Sequence, residues 1–155
     1  SRLIPHPPNF TPVISVAIMS GYLFRNIYLS FVVLITSMIL SDAFIGFYEN
    51  MLFVYLSLLL ISFSFHRLSK KINFKNLFIY GFAGSIIFFI ISNFGVWALG
   101  SPGVSNLPYD KTLSGLIECY VFAIPFFPNT FLSTLIFSYL AIYIYKRLPT
   151  WSSSR

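Results

Sequence analysis

From Leu77 to Leu99 the chain carries no charged side chain. That is long enough to cross a bilayer core about 30 Å thick, which takes roughly 20 helical residues. A backbone entering hydrocarbon must satisfy its own N–H and C=O groups, so such a stretch folds as a helix. Five more apolar runs accompany it: Val13–Phe24, Ile27–Tyr48, Met51–Phe65, Leu113–Ile124 and Phe131–Tyr145. Only 9% of the 155 residues are charged, against about a quarter in soluble domains, which is too few to clothe a soluble surface. The expected fold is all-α: a polytopic transmembrane bundle of five to six helices, one integral membrane domain over residues 1–155.

The net charge of +6 comes from ten Lys and Arg. They stand at the ends of the apolar runs rather than along one face, which is how membrane helices are oriented and speaks against nucleic acid as a partner. The Ile27–Tyr48 and Leu77–Leu99 runs can span alone, and Met51–Phe65 and Phe131–Tyr145 can do so with their flanks. Val13–Phe24 and Leu113–Ile124 are short. If all six runs cross, the ten bases divide five against five. If Leu113–Ile124 only dips in and returns at Pro125-Phe126-Phe127-Pro128, then Arg25, the basic hinge at 66–75 and the C-terminus share one side, eight against two. The second count suits the positive-inside rule. The fifth run is therefore expected to be a re-entrant or broken half-helix, with the hinge and C-terminus cytoplasmic in a bacterial inner membrane.

Residues 1–12 hold four of the nine prolines and are expected to form a rigid extended lead-in. Thr11 would cap the first helix and Pro12 would open it. The side on which the lead-in lies depends on whether the first run spans. Residues 148–155 are a Ser-rich tail. Cys119 is the one cysteine, which excludes an intrachain disulfide and a cysteine-only metal cluster.

The lead-in Arg2-Leu-Ile-Pro-His-Pro-Pro-Asn-Phe-Thr-Pro12 resembles the signature of an uncharacterised family of small bacterial membrane proteins. Similar segments continue through Ser41-Asp42, Gly46-Phe47-Tyr48, Val54-Tyr55-Leu56-Ser57 and Ser92-Asn93-Phe94-Gly95-Val96-Trp97. Tyr109, Lys111-Thr112-Leu113, Cys119-Tyr120, Pro125-Phe126-Phe127 and Asn129-Thr130 complete the likeness, which covers nearly the whole chain. The family is similar, in size and helix number, to the substrate-binding components of energy-coupling-factor vitamin transporters. The resemblance implies a further apolar helix ahead of the lead-in. This chain departs at Ser133-Thr134, where the family carries Gly-Asp, so a role for that acid does not transfer.

Polar groups within the apolar runs are the candidate site residues. Asp42 either lines a polar cavity or lies near the interface marked by Tyr48, Glu49 and Asn50; Glu118 either faces a vestibule or is structural. Asn93 and Trp97 share a helix face; Asn93 binds a ligand or bonds a neighbouring helix, and Trp97 reads as an interfacial anchor. The spacing of Ala17 and Gly21, and of Gly81, Gly84 and Ser85, lets helices approach closely and serves internal packing or a partner face. His6 alone makes no metal site, His66 reads as interfacial, and Cys119 is a soft ligand or a small hydrophobe.

No catalytic constellation is present: there is no HExxH, GxSxG or phosphate-cradling glycine loop, so an enzyme is not expected. One functional expectation is a membrane component that binds or transports a vitamin- or cofactor-like small molecule and needs a partner subunit for energy. Its ligand would lie between the lead-in (His6, Asn9), the 100–112 loop with Trp97 and Tyr109, and the half-helix with Glu118, Tyr120 and Asn129. Asp42 and Asn93 would add polar contacts. The alternative is a structural or accessory subunit of a larger membrane complex. The cofactor is unknown.

Overall fold

A computed structural model of the chain describes residues 7–24, 26–68, 74–103 and 106–147. The architecture is all-helical, with no strand among the described residues: α1 (Val13–Leu23), α2 (Ile27–Ile45), α3 (Met51–Leu68), α4 (Phe74–Leu99), α5 (Leu113–Ala123) and α6 (Phe127–Arg147). Three helical stretches, Ile27–Ile45, Lys75–Leu99 and Leu113–Arg147, are long and apolar enough to cross a membrane, and α1 and α3 are shorter apolar helices. His6, the tail at 148–155, Arg25 and part of the 66–75 hinge lie outside the described residues.

The fifth run is broken, but it does not turn back. One 3-10 turn, Ile124–Phe126, joins α5 to α6, and Ala123, Ile124 and Phe127 all keep right-handed helical dihedrals. Proline's fixed φ of about −65° suits a helix, and at a helix start its missing N–H leaves no bond unmade. The prolines therefore mark a joint between two helices. The joined helices descend along α4 in antiparallel order: Cys119 lies by Asn93, Tyr120 by Ile90, Phe127 by Phe89 and Phe131 by Phe78. This single path carries the end of α6 to the same end of the bundle as the start of α4, as the expected dip would also have done.

The half-length element is α1. Its 11 residues rise about 16 Å, against about 39 Å for the 26 of α4. It is also the central helix, touching α2, α3, α4 and α6, with seven residues buried. Small side chains make that position reachable. Ser15 accepts a 3.0 Å hydrogen bond from Ser138 of α6, Ser20 lies 3.3 Å from Ser62 of α3, and the Ser20 carbonyl accepts from Ser30 of α2 at 2.9 Å. A Cβ built on Gly21 would stand 2.3 Å from the Ser62 carbonyl oxygen, so only glycine admits α3 there. Ile14, Ala17 and Ile18 join Leu34, Met38, Leu58, Ile61 and Phe65 in the core. The remaining small positions are likewise filled from within the chain. Gly81 faces Leu135, Gly84 faces Ile14 and Ile18, and buried Ser85 lies 3.5 Å from Thr134.

The ends of the bundle differ in charge. All four acids, Asp42, Glu49, Asp110 and Glu118, belong to the half that holds the C-terminus of α2 and the start of α5. Arg67, Lys75, Lys146 and Arg147 stand at the opposite end.

Candidate functional site

Above the start of α1, in the acidic half, the bundle lacks a central helix. In the described part of the lead-in, Pro7–Phe10 form a turn rather than an extended segment. Phe10 N–H donates to Pro7 O at 3.0 Å, with Pro8 second and Asn9 third at φ 61°. Pro fits the second position of such a turn, and Asn tolerates the positive φ of the third. Asn129 Nδ2 holds the turn by donating to Pro8 O at 3.1 Å, and the Phe10 ring packs on Phe137. Pro12, not Thr11, is the residue flanking the helix, and it gives no side-chain cap. Val16 N–H makes the first helical bond, to Pro12 O. The N–H groups of Val13, Ile14 and Ser15 thus precede the helix's own ladder.

Three neighbouring clefts fill this region. The first, about 320 Å³, is lined by Asn9, Thr11, Ile14, Met38, Tyr48 and Thr130, among others. The second, about 200 Å³, shares Asn9, Val54, Phe88 and Thr130 with it and adds Asn50, Ser92, Asn93, Phe126 and Phe127. The third, about 240 Å³, shares Asn93, Val96, Ala123 and Phe126 with the second and extends to Gly103, Tyr109 and Cys119. The result is a vestibule running from the α1 start, past the α5–α6 joint, to the 100–112 loop. Its lining is aromatic and apolar, with a few amides and hydroxyls.

The family model for this sequence matches residues 1–153. The chain belongs to DUF6580, a family of unknown function. No curated protein and no solved structure matches it. The likeness to an uncharacterised family thus holds.

In this DUF6580 chain the candidate residues separate. Asn9, Asn93 and Tyr109 line the vestibule. Asn93 Nδ2 donates to Phe89 O at 2.7 Å, the bond of a side chain folded back on its own helix, and the Asn93 carbonyl accepts from Cys119 Sγ at 3.4 Å. Trp97 ties down the loop: Nε1 donates to Asp110 O at 2.9 Å, while Lys111 donates to the Trp97 carbonyl and sits 5.5 Å from its ring centroid. Asn129 anchors the entering turn from outside the lining.

The other candidates point elsewhere. Asp42 is fully buried between α2 and α3, where Tyr55 Oη donates to its Oδ2 at 2.6 Å. Tyr120 donates to Ile90 O at 2.7 Å and packs on Phe89. Glu118 is exposed beside exposed Ile117 and Val121 and does not line the clefts, although Phe122, one turn further along α5, lines the third. Sequence reasoning passed over Thr11, Asn50, Ser92 and Thr130 as site residues. Asn50 opens α3, donates to Ser92 O at 2.9 Å, and packs its Oδ1 against Gly95 with no hydrogen bond. The available signal was the adjacency of Thr130 to Asn129 in the matched segment.

Proposed function

We propose that this protein is a membrane component that binds a small, vitamin- or cofactor-like molecule in the vestibule above α1 and works with a partner subunit that supplies energy. The observation that carries the reading is the half-length central helix, which leaves connected clefts where a full-length one would leave core. Their sizes, from about 200 to about 320 Å³, reach the lower end of the range used by small ligands. Phe88, Phe126, Phe127 and Tyr48 suit a flat or apolar body, while Asn9, Thr11, Asn93 and the leading N–H groups of α1 supply hydrogen bonds. Discontinuous helices that end at a cavity are a recurrent design of membrane binding sites.

The accessory-subunit reading draws less support, because the small-residue faces that would admit a neighbour are filled by this chain's own helices. We further infer a bacterial inner-membrane location with the Arg67, Lys75, Lys146 and Arg147 end cytoplasmic. The test is mass spectrometry of the natively purified protein. A retained small molecule, lost on substituting Asn93→Leu, supports the binding component. Retention of lipid alone, inside a stable larger complex, overturns it.

A further inference from the structure

The geometry points to the basic end of the bundle as a seat for the phosphate groups of anionic phospholipids, gripped from the side by Arg67, Lys75 and Arg147. These cations belong to α3, α4 and α6, and α4 packs against both of its neighbours. The Arg67 guanidinium lies 5.6 Å from the Phe63 ring centroid, and that of Arg147 lies 5.1 Å from Tyr143. Phe63 and Tyr143 are 44% and 53% exposed, one helical turn in from the bundle end on its outer wall. Stacking at this four-residue spacing draws each guanidinium back along the lipid-facing flank instead of out along the helix axis. That sets it beside phospholipid headgroups, with its planar fork suited to phosphate oxygens.

A purely intramolecular account covers only part of this. Cations in the last turns of α3 and α6 complement the helix dipole, so Arg67, Lys146 and Arg147 would stabilise their own helices. Lys75 does the opposite: it sits in the first turn of α4, where a positive charge is disfavoured. None of the four Asp and Glu side chains lies at this end of the bundle, beside Arg67, Lys75 and Arg147. Arg67, Lys75, Lys146 and Arg147 are all exposed. The sideways stacking favours lipid over a soluble acidic protein, which would meet charges presented axially.

The test uses the full chain purified in mild detergent and transferred to vesicles of phosphatidylcholine containing about a quarter phosphatidylglycerol, with native mass spectrometry of the lipids that remain bound after re-extraction. Phosphatidylglycerol should be retained over phosphatidylcholine. The triple variant Arg67→Gln, Lys75→Gln, Arg147→Gln should lower that preference by about a hundredfold, at roughly fivefold for each cation near the headgroups. Lys111→Gln, at the opposite end, should leave it unchanged. Arg67→Lys with Arg147→Lys keeps the charge and the fold but loses the planar fork, and should retain only part of the preference. Added inorganic phosphate should displace little of the bound lipid. Equal retention by the wild type and the triple variant overturns the proposal, as does complete displacement by inorganic phosphate, which would make the site one for free anions.

Discussion

Tyr55 Oη donates a 2.6 Å hydrogen bond to Oδ2 of Asp42, which joins the last turn of α2 to the first turns of α3 at a point no solvent reaches. Interhelical hydrogen bonds in membranes are individually modest, about 0.6 kcal/mol on average. Taking a donor from a buried acceptor costs more, about 1–3 kcal/mol. Tyr55→Phe should therefore destabilise the protein by about 1–2 kcal/mol, read as a lower unfolding temperature in mild detergent. Asp42→Asn keeps an oxygen for Tyr55 to donate to and should cost less. If Tyr55→Phe melts with the wild type, the pair contributes nothing to holding α2 on α3.

The close approach of α1 and α3 at Gly21 gives a second test. At Gly21 a Cβ would meet the Ser62 carbonyl at 2.3 Å, a backbone atom that cannot swing away. At Gly84 it would meet the flexible end of Ile18 at 3.2 Å. Gly21→Ala should cost about 1–3 kcal/mol by forcing α1 and α3 apart, and Gly84→Ala markedly less. Gly46 is a control of another kind: space around it is open, but its φ of 105° strains any other residue, by about 1–3 kcal/mol. Thermal unfolding of the three variants should rank Gly84→Ala as the mildest.

The helical membrane fold was legible because hydropathy and helix length are tied by bilayer thickness. The break in the fifth run was legible too, but its onward course, and the central place of the equally short first run, were not. Val13–Leu23 and Leu113–Ala123 have equal length and similar apolarity, yet seven α1 residues are buried and only Gly115 and Cys119 in α5. Hydropathy counts apolar atoms and cannot tell lipid from protein as the neighbour. The distinguishing signal was size: α1 has Ser15, Ala17, Ser20 and Gly21 on several faces, whereas α5 has one small-residue seam. The prolines at 125 and 128 marked the break but not its direction, because proline is equally at home where a chain turns and where a helix begins. At the site, Asn93 could be read from its polarity in an apolar run. The absence of Glu118 from the cleft lining could not, since it depends on how α5 packs against α4.

That sorting makes a prediction about ligand retention. Asn93→Leu replaces an amide in the vestibule lining with a branched apolar group, and Thr130→Val removes a hydroxyl there. Removing one hydrogen-bonding group from a buried site costs about 1–3 kcal/mol, so the first should weaken retention of the co-purifying molecule by about tenfold or more. Asn93 commits its amide N–H to Phe89 O but keeps Oδ1 as an acceptor; Thr130→Val should do less, because its single hydroxyl hydrogen is committed to Phe126 O at 3.2 Å. Glu118→Gln and Tyr120→Phe should leave retention unchanged. Native mass spectrometry of the four variants checks this, and a large loss in Glu118→Gln would bring Glu118 into the site.

The loop over the vestibule is held by two residues acting in opposite directions. Trp97 reaches out from α4 to the Asp110 carbonyl, and Lys111 reaches back to the Trp97 carbonyl and ring. Lys111 also covers the exposed C-terminal end of α4, where a cation is favoured by the dipole. An exposed cation–π contact contributes about 0.5–1 kcal/mol, so Lys111→Ala should scarcely change global stability. Its effect should be local, with faster amide hydrogen exchange across residues 106–112 and none at the basic end. Trp97→Phe removes the indole donor while keeping a ring for Lys111, and should speed the same amides by a smaller factor. If the vestibule holds the ligand, both variants should release it faster without losing the helices beneath. Faster exchange at 106–112 with an unchanged release rate would mean that this loop does not guard the way out.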